Sequence, residues 1–166
     1  MMRLALLLAA TLALSACGLR PLYGGGSTSP VATSLRAIEV APIAGQAGWL
    51  MHNNLSDRLG SEGAQAPAYR LEVELDDDIT GFGIRGDRAV TRERRTLRAR
   101  YRLVDLSNGG VVLDATAGSD AGIDVVSSEY ATVAAEQTAL ERLSEVVADQ
   151  IVARLGLFAA RTGAQR

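Results

Sequence analysis

Leu97-Arg98-Ala99-Arg100-Tyr101-Arg102-Leu103 alternates strictly between apolar and cationic side chains. A period of two places Leu97, Ala99, Tyr101 and Leu103 on one face of a strand and the arginines on the other. The stretch before it, Tyr69-Arg70-Leu71-Glu72-Val73-Glu74-Leu75-Asp76, alternates in the same way. The stretch after it sets Val111, Leu113, Ala115 and Ala117 against Val112, Asp114 and Thr116. Three consecutive strands with one apolar face each predict an antiparallel sheet packed on one side and wet on the other. Ser107-Asn108-Gly109 is a hairpin signal. A two-residue turn would set core residues opposite polar ones. A three-residue loop, 107–109, pairs 106 with 110 and brings Leu103 opposite Leu113 and Tyr101 opposite Ala115, because a one-residue slip flips every side chain. Gly109 is then predicted to be left-handed. The earlier hairpin turns near Gly83 to Asp87, and pairing Leu75 with Leu97 sets Glu74 against Arg98 and Glu72 against Arg100.

Working outward, Trp49 to Leu59 reads as a helix, with Met51, Leu55 and Leu59 on one stripe and Gly60 as a C-terminal stop. A long helix is predicted from Glu129 to Leu155, capped by Ser127 or Ser128. Its stripe is Val133, Leu140, Leu143, Val147, Ile151 and Leu155, and Gly156 is the expected stop. Arg36 to Ala41 is a short strand ended by Pro42. It fits either parallel beside the second strand or at the other edge of the sheet. The predicted fold is α+β: a four-stranded, mostly antiparallel sheet with two helices packed on one face.

The N-terminus carries a different signal. One charge, Arg3, is followed by a Leu/Ala-rich run from Leu4 to Ala16. The run is about 13 residues, too short for the ~20 that a membrane-spanning helix requires, and reads as an export signal. Leu14-Ser15-Ala16-Cys17 resembles the lipobox of bacterial lipoproteins, which implies cleavage before Cys17 and acylation there. More than one acyl chain holds a protein stably at a membrane, at ~0.8 kcal/mol per buried CH₂. The expected organisation is therefore a signal peptide over 1–16, a lipidated tether over 17–34, a folded domain over 35–157 and a flexible tail over 158–166. Trp49 is expected to pack in the core. Arg20, Pro21, Leu22 and Tyr23 beside the lipid suit docking near the membrane.

The 166-residue chain has a formal charge of −2, and all 17 of its basic residues are arginine. Cys17 is the single cysteine, so the folded domain has no internal disulfide. Eight arginines fall between Arg85 and Arg102, facing only Asp87 and Glu93 within that block. Cross-strand ion pairs account for part of this stripe. Arg85, Arg88, Arg92, Arg94 and Arg95 exceed the nearby acids and cluster toward the hairpin end. Guanidinium groups suit bidentate contacts to phosphate, so these five form a candidate anion site. Nucleic acid is not an expected partner of an exported protein.

Chemistry beyond binding is poorly provided for. His52 is the single histidine and has no second ligand at metal spacing. Asp76-Asp77-Asp78 reads as solvated surface at a strand end, and Gly81-Phe82-Gly83 as a turn. No Ser/His/Asp set is evident, and neither an enzymatic activity, a metal nor a cofactor is expected.

Cys17-Gly18-Leu19-Arg20-Pro21-Leu22-Tyr23-Gly24 resembles the start of the lipopolysaccharide-assembly lipoprotein family LptE in its alphaproteobacterial form. The element order matches as well, as do Asn54-Leu55, Tyr101-x-Leu103 and Tyr130-Ala131. The resemblance implies a domain seated as a plug in the outer-membrane β-barrel LptD, assisting its assembly and the delivery of lipopolysaccharide to the outer leaflet. It implies LptD, lipopolysaccharide and, through the lipid, the outer membrane at its periplasmic face as partners. The alternative reading is an accessory lipoprotein of a periplasm-spanning ABC lipid transporter, acting as a protein-binding module.

Overall fold

A computed structural model describes residues 29–60, 66–84 and 90–163. Cys17, the Arg20–Tyr23 segment, Arg85 and Arg88 lie outside these described residues. The elements in chain order are α1 (Pro30–Arg36), β1 (Ile38–Val40), α2 (Gly45–Leu59), β2 (Tyr69–Ile84), β3 (Val90–Asp105), β4 (Val111–Asp124) and α3 (Glu129–Gly163). The strands lie in the order β1-β2-β3-β4, with β1 parallel to β2 and the other pairs antiparallel. The first strand thus takes the parallel position, and the sheet is mixed.

The alternating apolar residues build the core as read. Leu71, Val73, Leu97, Ala99, Tyr101 and Leu103 are buried against Met51, Leu55 and Leu59 of α2 and Leu140, Leu143, Val147, Ile151 and Leu155 of α3. Burial also pushes the Tyr101 phenol pKa up. Gly60 ends α2 in a left-handed conformation at φ 64°. Arg58 of α2 pairs with Asp149 of α3 at 2.5 Å, tying the two helices at their solvent edge.

Several expectations are corrected. A third helix is present: Ser29 accepts a hydrogen bond from the Ala32 N–H at 3.1 Å, and Pro30 follows in the first turn. Residues 30–34, expected as tether, are therefore helical, and Leu35 joins the core. Ser-Pro at a helix start satisfies an otherwise unpaired donor and pre-sets φ. At the other end, Gly156 does not stop α3, which runs on to Gly163 with Ala159 buried. The expected tail over 158–166 is folded as far as the described residues extend. α2 starts a turn earlier than expected, at Gly45. Trp49 is 64% exposed and Val133 is 60% exposed, so neither belongs to the core.

The β3–β4 register pairs Leu103 with Leu113 and Tyr101 with Ala115 as predicted, but by another route. Asp105 donates to the Gly110 carbonyl and its own carbonyl accepts from Gly109, so the loop has four residues, 106–109. Four residues alone would leave Leu103 opposite Val112. The register shifts between Leu103 and Val104, and the extra β4 residue, Val112, restores parity. Gly109 is left-handed, at φ 71°. Asp105 also accepts from the Ser107 N–H and hydroxyl, which shape the loop and hold its carboxyl pKa low.

The β2–β3 register is displaced by two residues from expectation: Leu75 pairs with Ala99, Glu74 with Arg100 and Glu72 with Arg102. A shift of two keeps every side chain on its expected face and changes only its partners. Both strands also extend well beyond their apolar portions. Sixteen residues at ~3.3 Å each give strands of about 50 Å. The 35 residues of α3, at ~1.5 Å each, span a similar length.

Candidate functional site

The sheet face away from the helices carries a charge ladder. Arg70 bonds Glu39 at 2.7 Å, and Arg102 reaches Glu72 at 3.2 Å and Glu74 at 3.7 Å. Arg100 makes a two-pronged contact with Asp114 at 3.0 and 3.3 Å, which draws the Asp114 carboxyl below its usual range and raises the guanidinium pKa. Arg98 lies across Gly118 and donates to the Ser119 carbonyl at 3.2 Å. A Cβ at Gly118 would sit 2.5 Å from Cδ of Arg98, so the glycine gives the arginine its path.

Toward the β2–β3 turn the pairs loosen. Arg92 meets Asp124 at 3.0 Å, while Arg94 lies 3.8 Å from Asp120, with all four side chains more than half exposed. The Arg94 guanidinium also stands 5.4 Å from the Phe82 ring centroid, within cation–π range. The acids that pair with Arg92 and Arg94 come from β4, beyond the point where the apolar alternation ends. The supposed surplus of arginine is therefore largely balanced for the described members of the group.

Arg95 is on the other face. Its side chain is 12% exposed and bonds Asp77 through both oxygens at 2.6 and 2.8 Å. It also donates to the Glu136 carbonyl of α3 at 2.9 Å. The Asp77 contact raises the guanidinium pKa, and burial opposes that rise. Arg95 thus ties the N-terminal turns of α3 to a part of the sheet with little apolar packing. Beside it, burial first and the Glu136 carboxylate second push the Glu93 carboxyl pKa up, and Glu93 Oε2 is buried without a partner. The five predicted arginines do not form one cluster: Arg92 and Arg94 share the outer face, Arg95 faces α3, and Arg85 and Arg88 fall outside the described residues. Asp76-Asp77-Asp78 lies within a strand rather than at its end.

The end of the molecule bearing this turn also exposes apolar side chains: Ile79, Phe82, Val126, Val133 and Tyr130, the last 86% exposed. Sequence reasoning missed Tyr130 as a surface feature; the signal was its place in the first turn of a helix that overhangs the core. Among the described residues, no group of three or more His, Cys, Asp or Glu is placed to hold a metal ion. Also among them, no helix is long and apolar enough to cross a membrane.

The arrangement suits binding. Exposed, exchangeable guanidinium groups beside exposed aromatic and aliphatic side chains can take an amphipathic anion or a protein surface. Comparison with known proteins bears on which. The profile of the family described as "LptE: Lipopolysaccharide-assembly" matches residues 35–155. Among solved structures, one from Caulobacter crescentus CB15, solved as a candidate lipoprotein, superposes with a TM-score of 0.67 at 26% identity, covering 78% of this chain and 96% of that one. A minor lipoprotein from Acinetobacter baumannii gives 0.59 at 15% identity, covering 74% and 92%. Rare lipoprotein B from Shewanella oneidensis gives 0.54 at 9%, covering 77% and 96%. The last two show a shared fold. No curated protein matches the sequence.

Proposed function

Since the chain belongs to the lipopolysaccharide-assembly family LptE and so serves in lipopolysaccharide assembly, we propose that it is the lipid-anchored plug of an LptD β-barrel. In this reading Cys17 carries the anchor and the domain stands at the periplasmic face of the outer membrane. It helps the barrel assemble and helps lipopolysaccharide reach the outer leaflet. The family match over the folded domain carries the proposal. The length of β2 and β3, about 50 Å each, supports it. So does an outer sheet face whose charges are largely paired internally, since such a face can lie near a barrel wall without leaving bare cations there.

The lipopolysaccharide contact is assigned to the loosely paired end. Arg92 and Arg94, with Arg85 and Arg88 close to them in sequence, meet the phosphates of lipid A, while the neighbouring apolar side chains meet its acyl chains. Phosphate competes readily for guanidinium groups held only by exposed carboxylates. Arg95 is engaged by Asp77 and Glu136 and serves the fold instead.

Affinity capture of the tagged lipoprotein from detergent-solubilised envelopes tests the partner. A large outer-membrane barrel retained in near-equal amount is the expected result. Capture of an inner-membrane transporter without a barrel would overturn it in favour of an accessory transporter lipoprotein. Charge reversal of Arg92 and Arg94 tests the ligand: retained lipopolysaccharide should fall about tenfold or more while the fold survives. Undiminished retention would remove the hairpin site and leave the barrel question standing.

A further inference from the structure

β4 is an edge strand of the described sheet. Midway along it, Gly118 donates to Oε1 of Gln150 on α3 at 3.2 Å and accepts from its Nε2 at 3.4 Å. A side-chain amide thus stands where the peptide group of a neighbouring strand would bond. Residues two apart on a strand turn their backbone groups to the same edge, so Asp120, Gly122 and Asp124 point outward with Gly118. Val125, of the opposite parity, bonds Thr91 of β3. Among the described residues, the outward N–H and carbonyl groups of Asp120, Gly122 and Asp124 have no partner.

Other open stretches of the sheet are guarded. β1 covers β2 only from Tyr69 to Leu71, and farther along β2 carries Asp76-Asp77-Asp78, with Asp77 turned inward to Arg95. Charges, and above all inward-pointing ones, keep a strand edge from pairing. On β4, the irregularity at Val112 and the Gln150 amide at Gly118 interrupt the edge. The 120–124 stretch has no such cover, and its two acids are turned to Arg94 and Arg92. It borders a groove of about 510 Å³, walled by Ala134, Ala135, Thr138 and Ala139 of α3, with Arg142 also lining it. Gly122 is exposed, and a Cβ there would meet nothing within 4 Å.

We propose that the 120–124 edge takes an extended segment of a partner protein as a further strand. Bare peptide donors and acceptors repeating every second residue are matched by another extended backbone, and pockets beside the edge then select its alternate side chains. The exposed carboxylates of Asp120 and Asp124 suit cations at the occupant's outward positions. The groove walled by alanines suits small apolar side chains at the positions between. A second copy of this chain fits less well: paired antiparallel about Gly122, its Asp120 would face Asp124, a like-charge contact that destabilises. The inference rests on neither the barrel nor the lipopolysaccharide contact proposed above.

The test titrates the isotope-labelled full chain in detergent with the synthetic peptide acetyl-Lys-Val-Thr-Val-Lys-amide at millimolar concentration, read by the backbone amide signals in NMR. The amides of Asp120, Gly122 and Asp124 should shift together and saturably. Gly122→Pro removes an outward N–H and leaves the β3 ladder in place; it should weaken binding about tenfold or more. Where that variant fails to fold, the same peptide with proline at its centre decides, and it should leave the three amides unmoved in the parent. Absence of a shift at 120–124, shifts centred elsewhere, or equal binding of the proline peptide overturns the proposal. Shifts at these amides that grow with protein concentration in the absence of peptide would give the edge to a second copy and overturn it as well.

Discussion

Ser144 sits at 0% exposure in the middle of α3, and its hydroxyl has no hydrogen-bond partner. A buried hydroxyl that gave up water and found nothing in return costs about 1–3 kcal/mol. Ser144→Ala removes that polar group and leaves a cavity of a single atom, so it should stabilise the domain by roughly 1 kcal/mol, read by urea unfolding. Glu93 predicts a pH effect of definite sign. Its folded pKa is raised above the ordinary 4.5, so the folded state holds its proton to a higher pH than the unfolded chain does. Its contribution is fully present below about pH 4.5 and is lost as pH rises through the folded value. Glu93→Gln should match the parent near pH 4 and exceed it in stability at pH 7. A variant no more stable at pH 7 would show that burial and Glu136 do not act on this carboxyl. Neither residue is legible in the sequence. Ser144 lies between core positions of α3, and Glu93 meets Glu136 only once a helix has crossed the sheet.

The elements divide into a proximal half held by apolar packing and a distal half held by polar ties. α3 is buried at Ala139, Leu140, Leu143, Val147, Ala148, Ile151 and Leu155, but its first turns expose Tyr130 and Val133. Arg95 is the one described side chain of the sheet that bonds the backbone of those turns. In Arg95→Ala, amides 129–138 should exchange at least tenfold faster while those beyond 139 stay protected. Uniform loosening would show that α3 opens as a single unit. Two glycines separate strain from crowding. A Cβ on Gly109 meets nothing within 4 Å, so Gly109→Ala costs only the left-handed backbone, ~1–2 kcal/mol. A Cβ on Gly48 would lie 2.5 Å from the Ile43 carbonyl oxygen, and Gly48→Ala must displace backbone. Overpacking of this kind costs typically 1–3 kcal/mol; both values are read from melting curves. The proximal halves of β2, β3 and β4 were readable because every second residue is apolar there. Their distal halves were not, because Asp76 to Thr80, Arg92 to Thr96 and Ser119 to Asp124 are held mainly by backbone pairing and charge, which leave little hydrophobic period to count. The two-residue error in the β2–β3 register has the same origin: shifts by two satisfy alternation equally well.

The whole molecule combines a conventional core with an outer face of ion pairs, and their exposure sets what they contribute. Pairs such as Arg92–Asp124 and Arg94–Asp120 are more than half exposed, a setting in which each contributes ~0–1 kcal/mol. Raising NaCl from 0.1 to 1 M shortens the screening length from ~10 to ~3 Å. The melting temperature should nevertheless move by less than about 4 °C, the equivalent of ~1 kcal/mol for a domain of this size; a larger fall would make the ladder a main support of the fold. Architecture and element order were legible at this scale, as was the family to which the chain belongs. The fate of the arginine stripe was not, since its counter-charges lie on strand portions that composition alone marks as loop. The near-equal lengths of α3 and the paired strands bear on how such a protein can change over generations. Where little apolar packing fixes the distal half, two residues added to each of β2 and β3 preserve alternation and lengthen that hairpin by ~6.6 Å, with a further helical turn keeping α3 nearly abreast. The buried half can stay untouched while the reach of the other is adjusted, so lineages with differently sized partners can share a single hydrophobic interior.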